Sequence, residues 1–173
     1  MKKIFLLVIV AAITLSACTS AIDKEKKKIE GMEAELFNEN AGMISPEQSE
    51  ELIMTYMNFA DQYAQSADAP EYLFRASDIA MNMGNFSMSL NLLSRIMKDF
   101  PDYPKVAQCL FLQGFIWENN IGNIEKAREL YEQFLQKYPD NEFADDVELS
   151  LRNLGKTPEE LIRMFENNGS TEQ

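Results

Sequence analysis

Ile124, Ala127, Leu130, Tyr131, Phe134, Leu135 and Tyr138 recur three or four residues apart, the spacing of one buried face on an α-helix. Pro139 ends that helix, since its ring cannot continue the hydrogen-bond ladder. The arrangement repeats. Leu93, Ile96 and Phe100 stand 38 residues before Tyr131, Phe134 and Tyr138. Phe100-Pro101-Asp102 precedes Tyr138-Pro139-Asp140, and Gly84-Asn85-Phe86 precedes Gly122-Asn123-Ile124, at the same offset. Upstream, Phe59 and Tyr63 lie 37 residues before Ile96 and Phe100, and Leu73-Phe74 lies 37 before Leu110-Phe111. A near-constant offset over several apolar positions marks stacked supersecondary units.

Each unit reads as two helices joined by a Gly-Asn reversal. Ser45-Pro46-Glu47-Gln48 and Thr157-Pro158-Glu159-Glu160 have a hydroxyl cap, a first-turn proline and Glu or Gln three residues on, which marks a helix start. The pattern predicts helices over 24–38 and 46–66. Helix pairs follow at 70–83 with 86–99, 104–119 with 123–137, and 142–153 with 158–166. No stretch alternates apolar and polar residues long enough for a strand. The expected fold is all-α, a superhelix of about four antiparallel helix pairs over 46–166, with a disordered polar tail at 167–173.

The N-terminus has a different grammar. Lys2 and Lys3 precede the apolar run Ile4–Ile13, and Leu15-Ser16-Ala17-Cys18 follows. This order of basic, apolar and small residues is a secretory signal peptide over 1–17. Ten apolar residues span about 15 Å as a helix, too short to cross a bilayer. The cysteine at the cut resembles the lipobox of bacterial lipoproteins. That resemblance implies that Cys18 becomes the mature N-terminus and carries the lipid, palmitate included; an ordinary signal peptide with a cysteine there is the alternative. Thr19, where such lipoproteins retained at the inner membrane have aspartate, implies the outer membrane; its periplasmic side is the expectation, with the cell surface the alternative. Residues 18–45 would then form a tether and an N-terminal capping helix.

Acids outnumber bases 28 to 16. Removing residues 1–17, with two lysines and no acid, leaves 156 residues of net charge −14, which argues against nucleic acid as a ligand. The chain has no histidine. That removes Ser-His-Asp and Cys-His relays and most zinc sites, so neither a cofactor nor a metal is expected. The run Asp140–Asp146 has Ala144 where a calcium loop needs an oxygen, and it has no glycine turn. With Cys18 acylated, Cys109 has no disulfide partner, and Val106, Leu110 and Phe111 around it predict a small buried residue.

The helical units resemble tetratricopeptide repeats. Leu110, Gly114, Trp117, Ala127, Tyr131, Phe134 and Pro139 match that signature, with one extra residue in the turn Asn119–Gly122. Leu73, Ser77, Ala80, Ser89, Leu93, Ile96 and Pro101 match it more loosely. The pair ending at Tyr63-Ala64 lacks the proline. The longer period is similar to that of envelope repeat lipoproteins, including the Tol-Pal-associated division coordinator. The resemblance implies a concave groove lined by the first helix of each pair, with Phe74, Asp78 and Met81 of one repeat and Phe111, Phe115 and Glu118 of the next projecting into it. Apolar with acidic edges, it would suit a peptide with basic flanks; the aromatic residues serving only as core is the alternative. Ile22, Ile29 and Leu36, seven apart, with Met32 between, are read either as the inner face of the capping helix or as a self-association seam over 22–36. Lys24-Glu25-Lys26-Lys27-Lys28, six residues from the anchor, reads as a solvated spacer, with a lipid-headgroup contact as the alternative. The implied role is a non-enzymatic, lipid-anchored scaffold for envelope proteins in cell-envelope or division work. A barrel-assembly lipoprotein is the alternative, and a peptidoglycan- or sugar-cleaving enzyme is a distant third.

Overall fold

The computed structural model describes residues 21–37, 45–157, 159–160 and 162–163. The signal segment, Cys18, most of the 158–166 helix and the 167–173 tail lie outside the described residues. Within them every regular element is helical. The helices are α1 over 21–36, α2 (Pro46–Gln62), α3 (Ala69–Asn82), α4 (Phe86–Asp99), α5 (Val106–Ile116), α6 (Ile124–Lys137) and α7 (Ala144–Asn153). The all-helical hairpin class is as the sequence pattern predicts. The chain divides into two compact units, Met1–Met83 and Gly84–Gln173, where the sequence reads one array over 46–166.

In the first unit, α2 starts on the predicted capping box. Ser45 Oγ accepts from the Gln48 amide at 3.2 Å, and Gln48 Oε1 accepts from the Ser45 amide at 3.1 Å. The two bonds satisfy donors that a helix start leaves orphaned. Leu52, Ile53, Tyr56 and Phe59 of α2 are buried, as are Tyr72, Leu73 and Ala76 of α3. Tyr56 stacks on Tyr72 at 5.3 Å, and Phe59 meets Tyr72 edge-on at 4.7 Å. Ile29 and Leu36 of α1 are buried too, and Lys26 pairs with Asp68. Ile29 and Leu36 of the 22–36 seam thus pack inside their own unit, while Ile22 and Met32 are half-buried.

The second unit is built around Leu110 of α5, Ala127, Tyr131 and Phe134 of α6, and Val147 of α7, all buried. Phe111 stacks on Phe143 at 5.5 Å and lies edge-on to Phe134 at 6.4 Å. Cys109 is fully buried, matching its apolar sequence neighbours. At the end of the described chain, Thr157 Oγ1 accepts from the Glu160 amide at 3.2 Å and the Thr157 amide donates to Glu160 Oε2 at 2.8 Å. These are the bonds expected of the second helix start.

The repeat is clearest in the backbone. Tyr63 N–H donates to Phe59 O, Ser66 to Tyr63, Ala69 to Ser66, and Tyr72 to Asp68, all between 2.8 and 3.1 Å. Phe100 to Ile96, Tyr103 to Phe100, Val106 to Tyr103 and Cys109 to Lys105 form the same ladder 37 residues on. Tyr138 to Phe134, Asn141 to Tyr138, Ala144 to Asn141 and Val147 to Phe143 form it again. The cap residues Tyr63, Phe100 and Tyr138 share one conformation, with φ between −125° and −133° and ψ between 46° and 59°. The first copy makes this turn with Ala64 where the others have proline. That is why the predicted helix 46–66 runs four residues too far: without a proline, no local signal marks the stop at Gln62. In the last copy the turn also delays α7 to Ala144, two residues after the predicted start.

The extra residue of the second repeat has a place. Leu73 and Gly84 are 11 residues apart, whereas Leu110 and Gly122 are 12 apart. The α-helix predicted over 104–119 instead ends at Ile116, and Trp117–Ile121 form a π-helical turn. A π-turn absorbs one added residue by widening the ring. Gly122 closes it at φ 75°, with its amide on Trp117 O, and Gly84 adopts φ 76° in the shorter copy. Asn85 and Asn123 then cap the next helix alike, their Oδ1 atoms accepting from Met88 N at 3.2 Å and Lys126 N at 2.9 Å.

Candidate partner-binding groove

In the first unit, α1 and α3 flank a groove of about 770 Å³ with Tyr56 of α2 at its base. Glu30, Glu33, Ala34 and Phe37 line one wall. Arg75, Asp78, Ile79 and Asn82 line the other. A smaller hollow of about 250 Å³ shares Phe37, Ile79 and Asn82 and adds Leu36, Leu52 and Met83. Five of its seven lining residues are apolar, with Ser49 and Asn82 the polar ones, and Phe37 is 58% exposed. Together the two offer an apolar slot beside a charged one.

Glu33 organises the charged part. Its Oε1 accepts from the Tyr56 hydroxyl at 2.6 Å and from Arg75 Nη1 at 2.7 Å. Arg75 Nε also donates to Glu71 Oε1 at 3.2 Å, and its guanidinium sits 5.9 Å over the Tyr72 ring. Burial first, and then the bond to Glu33, push the Tyr56 phenol well above its ordinary value. The hydroxyl therefore stays a donor. With its guanidinium shared between two carboxylates, Arg75 does not make the groove basic. Glu30, Glu33 and Asp78 outweigh it, and the walls are acidic.

The predicted groove residues divide. Asp78 lines this groove. Phe74 is 5% exposed and belongs to the core, and Met81 is half-buried, outside the groove lining. In the second unit, Phe111 packs among Tyr131, Phe134 and Phe143. Phe74 and Phe111 are thus placed as core, the alternative left open by helical spacing. Phe115 is 40% exposed. Glu118 accepts from the Tyr131 hydroxyl at 2.7 Å, and burial first, then that bond, raise the phenol of Tyr131. Tyr56 and Tyr131 occupy the same repeat position, 75 residues apart, and each delivers its phenol to a carboxylate.

Sequence reasoning missed Glu30, Glu33, Phe37 and Arg75. The apolar spacing of 22–36 marks the buried face of that helix and carries no signal for its polar one. The usable signal was the tyrosine shared by the two repeats, since a buried phenol calls for an acceptor. No curated protein gives a significant match to this chain. The family model of the tetratricopeptide repeat matches residues 108–141, from α5 to the turn after α6, and over that stretch the chain carries a tetratricopeptide repeat.

Proposed function

We propose that this chain is a lipid-anchored adaptor that holds other envelope proteins at the bacterial outer membrane, with the α1–α3 groove as its docking site. Helical repeats of this class present surfaces rather than reaction pockets, and the groove supplies one: acidic walls beside an apolar slot. That pairing carries the reading. It fits a partner segment with basic residues flanking an apolar anchor, because charge sets register and encounter rate while the buried side chain supplies most of the affinity. The Leu15–Cys18 motif supports the anchor, and Ala21, three residues after Cys18, already lies in α1. Two or more acyl chains suffice for stable membrane residence, so the groove would work within a short tether of the bilayer. The role is a binding one, in envelope upkeep or division.

Two measurements test this together. Metabolic labelling with a palmitate analogue and membrane fractionation should show the wild type acylated in the outer membrane, and Cys18→Ser unlabelled and released. A photo-crosslinker at Phe37 should capture envelope proteins, and Asp78→Lys should cut that capture about tenfold, the effect of about 1.4 kcal/mol. An unlabelled wild type would remove the anchor. Capture indifferent to Asp78→Lys would remove the groove.

A further inference from the structure

The second unit holds a cleft of another chemical character. Ser87, Asn91 and Ser94 stand on one exposed face of α4, at i, i+4 and i+7. Gln113, Trp117 and Ile121 face them from α5 and the π-turn, with Phe86 at one end, around a volume of about 660 Å³. In a chain of net charge −12 this lining has no carboxylate. Its one charge is Lys126, whose Nζ is bonded to Glu129 at 2.8 Å. Gln113 Nε2 donates to Met97 Sδ at 3.3 Å, which fixes its amide plane. The π-turn places both Trp117 and Ile121 on the cleft, and π-turns are frequent at functional sites.

We propose that this cleft binds an uncharged saccharide chain. A pyranose ring has an apolar C–H face and a rim of hydroxyl groups. An indole and a phenyl ring suit the face. Ser, Asn and Gln side chains each donate and accept, as hydroxyl groups require of their partners. The absence of carboxylates separates this cleft from the acidic groove of the first unit: nothing in it selects a basic peptide. The inference stands on these residues and not on the docking reading.

Trp117 is the chain's only tryptophan, so its fluorescence reports on this cleft alone. Full-length protein in detergent is titrated with chitohexaose and with cellohexaose. A saturable change in Trp117 emission is expected. Chitohexaose alone would mark an N-acetylated, wall-type glycan as the source, and both would mark a plain β-linked glucan; either supports the site. Ser94→Glu, on the exposed helix face, should weaken binding about tenfold or more with unchanged helical circular dichroism. Asn91→Ala should weaken it by a smaller factor, and Asp78→Lys should titrate as the wild type. No saturable change with either sugar overturns the proposal. So does a change that Ser94→Glu and Asn91→Ala leave intact, because the sugar would then bind elsewhere.

Discussion

Gly114→Ala separates helix propensity from packing. A Cβ built at Gly114 lies 2.5 Å from Tyr131 Cε1 and 2.7 Å from Cδ1, far inside contact distance. In a helix interior, alanine is favoured over glycine by about 0.8–1.0 kcal/mol. Against that, overpacking a close-packed site costs about 1–3 kcal/mol. The upper end applies here, because Tyr131 is fully buried and its hydroxyl is tied to Glu118 at 2.7 Å. The ring can swing aside only by giving up that bond. The net expectation is a loss of about 2 kcal/mol, a Tm drop of about 4–8 °C for a chain of this size. Urea unfolding followed by Trp117 fluorescence reports on this unit. The decisive measurement is the cycle with Tyr131→Leu, the residue found at the same repeat position as Leu93. Removing the ring should relieve the clash, so the double variant should be more stable than the two single losses added together, by about 1–2 kcal/mol. A Gly114→Ala protein as stable as the wild type, or strictly additive losses, would refute the packing argument.

Tyr56 and Tyr131 keep their protons in the folded chain beyond the ordinary phenol range, while in the unfolded chain they ionise near pH 10. Stability should therefore hold below about pH 10 and fall as pH rises past it. Urea midpoints between pH 8 and 11.5 would show the fall, and Tyr131→Phe should flatten the second unit's share at a neutral-pH cost of about 1 kcal/mol. At Gly122, φ is 75° and no atom stands within 4 Å of an added Cβ. Gly122→Ala should thus cost about 1 kcal/mol through backbone strain alone, and Asn123→Ala about 1 kcal/mol through the lost cap; urea midpoints equal to the wild type would contradict both assignments. Cys109, with no exposed surface, should react with an aromatic disulfide reagent only at the rate of local opening, and native labelling as fast as a free thiol would count against its burial.

The sequence by itself determined the helical class, the repeat offsets and both capping boxes. It also placed the two chain reversals, at the Gly-Asn pairs that precede α4 and α6. All of these are local. A helix repeats every 3.6 residues, so the spacing of Ile124, Ala127, Tyr131 and Phe134 names the buried face without reference to anything distant. Where a local signal was absent, as at Ala64, the helix end was lost, although the backbone bonds of the turn are the same as those beside Pro101 and Pro139. The Trp117–Ile121 turn was half legible: an extra residue could be counted, but not how the helix would absorb it. Tertiary structure alone decided the groove. Glu33 meets Tyr56 and Arg75, 23 and 42 residues away, because α1 and α3 pack around α2. It also decided that Phe74 and Phe111, at positions that periodicity would equally allow to face solvent, belong to the core. Periodicity states which side of a helix is covered. Which exposed side chains converge depends on how helices are set against one another, and no local spacing carries that information.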